Sequence, residues 1–384
     1  SVAAAGKMAV EVHQHEKHKD LRFSTSVITD RARWMQDRLE TLGRKHLDQL
    51  VLPASHDAGM YWVYGHDLGM AKNQNLRIYD QLRYGIRYFD LRVQWNDGLE
   101  DPVLRGFTIH HGGWRGPDLK EVLDDIKRFA NEKHQELIIL TFSTFRNINA
   151  GTYRMLVDQI DQAIGRWLVK TKPDNERLAE ITLGEYVKNG PAILLVVDGN
   201  FAIAHRKDGF WVYRDFHKPD PVPGHLRVHD VYAGEDTVKD MQKDQFGKFA
   251  RYDGKMQHAP HPRCDLFLLS WTLTPKGLTT PRMLARRANP WLAQAIHLGH
   301  GNPPMPPPGI PNGSGKIMNM LFVDYVESAR VTDVALFLNG EVASEAEEAA
   351  PPRRTKAAAR RAKPTSRKAK TTRRRAKAPS RRAK

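Results

Sequence analysis

One cysteine in 384 residues, Cys264, leaves nothing for an intrachain disulfide to join, and its place just before an apolar run marks it as a buried core thiol. No apolar run approaches the ~20 residues of a membrane span. Residues 1–20 are polar and histidine-rich, without the hydrophobic stretch of an export signal, so the compartment stays open, with a peripheral membrane or secreted location as the expectation. Acidic residues are missing from one stretch. Pro351 to Lys384 carries 16 Lys and Arg and no Asp or Glu, whereas the rest of the chain sets 44 basic against 44 acidic residues. The formal charge of +16 therefore describes the tail and not the fold.

What is present is an alternation. Short apolar runs at His46–Pro53, Ile86–Val93, Phe107–His110, Glu136–Phe142, Ala192–Val197, Leu266–Leu273 and Met318–Val323 read as strands. Helix-length segments separate them, among them Leu119–Lys133 and Tyr153–Leu168 with apolar residues at helical spacing. Strands alternating with helices predict a parallel sheet, and their number suits a closed, distorted (β/α)8 TIM-type barrel of the α/β class. Asn200–Pro262, rich in Gly, Pro, His and charge, reads as long loops and an irregular helix over the barrel mouth. Gly299–Gly315 reads as a surface excursion for the same reason. The expected division is a flexible polar segment over 1–30, the barrel over 31–339, an acidic linker over 340–350 and a disordered Lys/Arg/Ala/Pro tail over 351–384.

Polar groups sit at or just past the C-terminal ends of predicted strands, where barrel active sites are built. They are His56 with Asp57 after the first strand, Asp90 with Arg92 on the second, His110 with His111 after the third, and Asp324 after the last. A closed barrel makes its first and last strands neighbours, so Asp324 can reach His56. These residue types suit cleavage of a phosphodiester through a neighbouring hydroxyl. One histidine takes the hydroxyl proton, another protonates the leaving alkoxide, and a carboxylate beside each imidazole fixes its tautomer. An arginine offers the phosphoryl oxygens a permanent forked donor.

Five segments, in order, resemble motifs of the phosphatidylinositol-specific phospholipase C X region. LPASHDAGMY resembles the first catalytic motif, GIRYFDLRV the second and TIHHGGW the third. ELIILTF is similar to the strand that follows the connecting helix, and LFVDY to the final strand, which supplies an Asp in bacterial enzymes. The resemblance runs from about Leu47 to Asn339. It implies that His56 is the general base, Asp324 its orienting partner, Arg92 the phosphate ligand, and His111 the general acid with Asp57 beside it. Asp90 would hold Arg92 or the base in place. His111 is preferred to His110 because the family's catalytic histidine directly precedes a glycine, here Gly112. Asp57 and Arg92 stand where the calcium-dependent branch has Asn and an acidic residue, so the resemblance implies a site without metal or other cofactor. The stretches TFSTF and LLVVDGN depart from the family's inositol-binding positions, with Asp198 near the position of an Arg, and the headgroup contacts are not carried over.

Trp211, Tyr213, Trp271 and Tyr325 are candidates to line the pocket and stack on a sugar ring, Trp271 and Tyr325 above all, with core packing as the equal alternative. The implied partner is a phospholipid at a membrane surface, acted on by a monomer. The tail implies a sequence-blind polyanion partner, either anionic lipid or nucleic acid. The alternative function is a catalytically altered barrel of this kind, or a glycerophosphodiester phosphodiesterase, whose tail binds polyanions.

Overall fold

The structure, a computed structural model, describes residues 31–65, 69–99, 102–174, 176–198, 207–215, 225–254, 264–298 and 317–340. The polar segment 1–30, the excursion Gly299–Gly315, the linker beyond Gly340 and the basic tail lie outside them.

Eight parallel strands close into a ring: β1 (Leu52–Ser55), β2 (Tyr88–Asn96), β5 (Leu137–Arg146), β6 (Ala192–Asp198), β7 (Phe210–Asp215), β8 (Leu226–Asp230), β9 (Leu266–Trp271) and β10 (Met320–Val323). Closure is made by β1, which pairs with β10 over Leu52↔Met320 to Ser55↔Val323 and with β2 at Ala54↔Tyr88 and Ser55↔Phe89. Successive side chains of a strand point to opposite faces, and here both faces are apolar. Leu52, Ala54, Leu137, Ile139, Leu194, Val196, Leu266 and Leu268 pack together on one face. Val51, Ile138, Leu140, Ile193, Leu195, Phe267 and Leu269 pack with the helices Leu119–Ala130 and Ala150–Ile164 on the other. That double burial is why these strands read as continuous apolar runs.

Three expectations need correction. The first strand begins at Leu52, because Leu47–Gln49 form a single helical turn closed by the Gln49 side chain on the His46 N–H at 2.9 Å. The strand bearing His110 and His111, β3 (Gly106–His111), is not a barrel strand. It runs antiparallel to the overlong end of β2, through Val93↔Ile109 and Gln94↔Thr108, and turns into β4 (Trp114–Asp118). Finally, Asn200–Pro262 contains two barrel strands, β7 and β8, and the helix Val238–Arg251. Their apolar signal is broken by polar-tipped and charged residues that are buried all the same: Trp211, Tyr213, Arg214 and His229.

Candidate active site

His56 is the first residue past β1. Its backbone N–H donates to the Val323 carbonyl at 3.1 Å, extending the β1–β10 ladder by one bond. Asp57 follows with φ 41°, a left-handed conformation that Asp tolerates better than most residues. The turn is tied to β2, since Asp57 N donates to Asp90 Oδ2 at 3.2 Å and Ala58 N to the Asp90 carbonyl at 2.9 Å. Asp324, one residue past β10, receives His56 Nδ1 on its Oδ1 at 2.8 Å. Residues 268 positions apart in sequence thus meet at the seam where the first and last strands pair.

Asp57 is the hub of the rest. Its fully buried carboxylate lies 2.9 Å from Arg92 Nε, 3.4 Å from His56 Nε2 and 3.8 Å from His111 Nε2. Arg92 Nη2 also lies 3.0 Å from Asp90 Oδ2 and 3.0 Å from His56 Nε2. Burial alone would lower the His56 imidazole, but the Asp324 and Asp57 carboxylates outweigh it and hold the group up at about 9. Nε2 has a partner in either form: the charged ring can donate toward Asp57, and the neutral ring can accept from Arg92. Burial works against the charge on Arg92 too, and Asp57 and Asp90 overcome it, so its guanidinium stays ionised. Burial would raise Asp90, yet Arg92 and His56 keep it below the ordinary carboxylate range. His111 is partly exposed, with Nδ1 3.3 Å from the Ala71 carbonyl, which leaves Nε2 as the nitrogen able to deliver a proton. His110 is buried, its Nε2 2.8 Å from the Thr144 carbonyl, and burial lowers its pKa.

A cavity of about 810 Å³ opens between these groups and the far side of the ring, where β7 and β8 stand opposite β1 and β2. That wall carries Tyr213, Asp215, Asp230 and the largely exposed Tyr232. Tyr213 donates its hydroxyl to Asp230 Oδ2 at 2.8 Å, and burial, with Asp215 next, raises Asp230 to about 6. Arg92 is the only Lys or Arg among the described residues that line the cavity.

Residues 58–188 match the family described as phosphatidylinositol-specific phospholipase C, X domain. The match covers about a third of the chain, which is similar to that domain there. The PI-PLC X domain-containing protein 2 of mouse is 32% identical over 160 residues, covering 36% of this chain and 46% of the mouse protein. Its human counterpart is likewise 32% identical, over 51% of its length. The variant-surface-glycoprotein phospholipase C of Trypanosoma cruzi is 29% identical over 139 residues, 28% of this chain and 35% of that protein. The chain thus spans about half or less of these curated relatives. Among solved structures, the phosphatidylinositol-specific phospholipase C of Listeria monocytogenes superposes with TM-score 0.54 at 21% identity, over 80% of this chain and 98% of that one. A Staphylococcus aureus phosphatidylinositol-specific phospholipase C gives 0.55 at 18%, over 79% and 97%. These two share the barrel fold.

The matched segment contributes Asp90, Arg92, His110 and His111, while Asp324 comes from the half of the barrel that follows it. Of the residues expected at the site, His56, Asp57, Asp90, Arg92, His111 and Asp324 are brought together. Trp271 and Tyr325 lie in the core instead, with their polar tips on the Ala288 and Lys72 carbonyls. Trp211 is buried as well, on the Val169 carbonyl. Asp198 ends β6, and its side chain lies outside the described residues. Sequence reasoning missed Asp215, Asp230, Tyr232 and Asn73. Asp215 and Asp230 end strands it did not find, Tyr232 lies just past the second of these, and Asn73 has no signal beyond a polar run after the first motif.

His56, Asp57 and Asp90 present donor atoms within 4.8 Å of one another, a spacing that a divalent cation could use. The guanidinium does not fit that use. With Nε against Asp57 and Nη2 against both Asp90 and His56, Arg92 holds its positive charge among the same three donors.

Proposed function

We propose that this chain is a phosphodiesterase that cleaves inositol phospholipids by internal attack, without a metal ion. The observation that carries the reading is the His56–Asp324 pair at 2.8 Å, with Arg92 and His111 on the same buried Asp57. His56 Nε2 removes the proton of the hydroxyl beside the phosphoester, and that oxygen attacks phosphorus. The bond to the diacylglycerol oxygen breaks, and His111 returns a proton to the departing alkoxide. Arg92 turns its donors to the phosphoryl oxygens and supplies fixed positive charge to the transition state. The products are a cyclic phosphate and diacylglycerol. Asp57 holds Arg92 and His111, Asp90 holds Arg92, and His110 braces the β3–β4 turn from behind.

The far wall suits the headgroup. Asp230, Asp215 and Tyr213 offer acceptors and a hydroxyl to a polyol, and Tyr232 offers an aromatic face. With Arg92 committed to the scissile phosphate, a headgroup bearing a second phosphate would meet carboxylates with no further described cation. Around the mouth, residues 272–298 contain Lys276, Arg282, Arg286 and Arg287 and no acidic residue. Leu278 stands 91% exposed among them, and Thr274, Pro275 and Pro281 of the same segment line the cavity. That combination favours an anionic lipid surface. The tail over 351–384 supplies a second sequence-blind attachment, to anionic lipid or nucleic acid, which binding to vesicles and duplex DNA at matched salt would separate.

A metal-using phosphodiesterase is the second reading, favoured by the three donors within 4.8 Å. Phosphorus NMR of phosphatidylinositol turnover, run with and without excess EDTA, tests both. Cyclic phosphate appearing first and surviving EDTA is expected. Linear phosphate at the earliest times overturns internal attack, and loss with EDTA restored by calcium overturns the metal-free site.

A further inference from the structure

The base pair stands on two loops that leave neighbouring strands, and the strand ladder ends at the His56 N–H bond to Val323. Beyond it, something else must hold His56 and Asp324 in register. The chain segment Asn73–Gln74, seventeen residues past His56 and outside every helix and strand, lies across that gap. Gln74 is completely buried. Its Nε2 donates to the His56 carbonyl at 2.8 Å and to the Val323 carbonyl at 3.1 Å, and its Oε1 accepts from Val326 N at 3.1 Å. One side-chain amide therefore replaces the missing rungs between the two loops.

Asn73 acts on the side chains. Its Nδ2 donates to Asp324 Oδ1 at 2.8 Å, the same oxygen that His56 Nδ1 meets at 2.8 Å. Two donors on one oxygen fix both the carboxylate plane and the imidazole tautomer, leaving Nε2 to act as base. The amide cannot be turned over, because its oxygen would then face the carboxylate. Asn73 is itself pinned through its backbone, N to the Met60 carbonyl at 2.9 Å and carbonyl from Tyr325 N at 2.9 Å.

We infer that Asn73 and Gln74 are positioning residues of the reaction: Gln74 locks the loops that carry the base and its carboxylate, and Asn73 sets the carboxylate against the imidazole. The inference rests on His56 being the general base. It goes beyond that reading by giving catalytic consequence to two uncharged residues that act through the base and its carboxylate: Gln74, fully buried, and Asn73, at the cavity wall with its amide on Asp324.

The test measures kcat, KM and the pH profile of Asn73→Ala in the full chain, on phosphatidylinositol and on a soluble inositol phosphodiester with a phenolic leaving group. Misplacing a catalytic group costs on the order of 100-fold in rate, so kcat should fall by about that factor with KM little changed. Without the Asn73 donor, the Asp324 carboxylate bears more fully on the imidazole, and the limb of the profile belonging to His56 should move to higher pH. A good leaving group should not rescue the variant, because the lesion lies on the base side. Asn75→Ala is the control, since Asn75 is exposed and reaches Glu327 instead; it should keep wild-type kcat. If Asn73→Ala fails to fold, Asn73→Ser, which keeps a shorter donor, is read in its place with a smaller fall in kcat. A folded Asn73 variant with unchanged kcat and pH profile overturns the inference. His56→Ala, run alongside, separates the two failures: if it stays active, the reading of His56 as base is what fails.

Discussion

The two ends of the barrel both bury charge, and they do so differently. At the base, Arg87 and Glu136 are paired at 2.6 Å and wholly inaccessible. Arg87 also donates to the carbonyls of Ala32, Leu82 and Ile86, and its guanidinium lies over the Trp34 and Phe129 rings. Glu136 takes the Gln36 N–H as well. The described partners surround that pair, and neither residue lines the active-site cavity. At the mouth the same residue types leave work undone: Asp57 is as buried as Glu136, but His56, Arg92 and His111 each keep part of their surface on the cavity. Buried charge by itself does not mark a site. Charge whose partners still face an opening does.

Breaking the two clusters should therefore give opposite phenotypes. His56→Ala should lower kcat on phosphatidylinositol by about 10⁴-fold while the protein stays folded, with only a modest fall in its unfolding temperature. Glu136→Gln leaves a buried guanidinium without its counter-charge and should cost about 3–5 kcal/mol of stability, with kcat per folded molecule unchanged. Denaturant titration and turnover on the same two preparations decide it. Stable but inactive Glu136→Gln, or unfolded His56→Ala, would erase the distinction between the ends.

The adjacent histidines sharpen it within the mouth. His111→Ala should lose about 10²- to 10³-fold on the lipid and much less on a phenolic ester, whose leaving group departs without a proton. His110→Ala should harm both substrates alike, because its nitrogens face the Thr144 and Gly112 carbonyls. Selective rescue of His110→Ala would exchange their roles.

The strands β1, β2, β5, β6, β9 and β10 were legible in the sequence through their apolar runs, and the motifs place His56, Arg92 and His111 on or beside strands. Asp324 was legible through closure, which makes a last strand the neighbour of the first. The wall made by β7 and β8 was not. Tyr213, Arg214 and His229 interrupt the apolar pattern while being buried through polar contacts that only the tertiary structure supplies. The antiparallel setting of β3 was hidden too, since periodicity reports a strand but not its direction. Trp271 misled because an aromatic near a strand end looks alike whether it faces the cavity or packs on Phe246.

The pH dependence is a smaller effect with a definite sign. The folded imidazole of His56 stands at about 9, above its ordinary value of about 6.5. Its charged pairing with Asp324 and Asp57 therefore stabilises the fold fully below about pH 6.5 and is lost as pH rises through about 9. The proposed mechanism needs the opposite form, so kcat/KM on the phenolic substrate, which requires no proton from His111 and reports the free enzyme, should climb from pH 6 toward 9 as stability declines. Asp324→Asn removes the principal counter-charge and should move that limb to lower pH. A limb that stays in place would mean that His56 does not govern it.

The smallest expected effect lies on the outer rim and not in either cluster. Arg286 and Arg287 end the helix Pro281–Ala288 on its exposed face, beside Met283 and one turn from Trp291, both of which stand partly bare. Neither arginine lines the cavity, so neither should matter to a soluble substrate. Near an anionic bilayer each is worth about 1 kcal/mol, and reversing both should weaken binding to phosphatidylinositol-containing vesicles by at least about tenfold. Arg286→Glu with Arg287→Glu in the full chain should thus raise the apparent KM on vesicles, leave kcat on the soluble phosphodiester at wild type, and flatten the salt dependence of binding. Sedimentation with vesicles across a salt series reads all but the kinetics. Unchanged vesicle binding in the variant would remove this rim from the contact and leave attachment to the other apolar side chains at the mouth, Trp62 and Tyr64, which stand half exposed after β1.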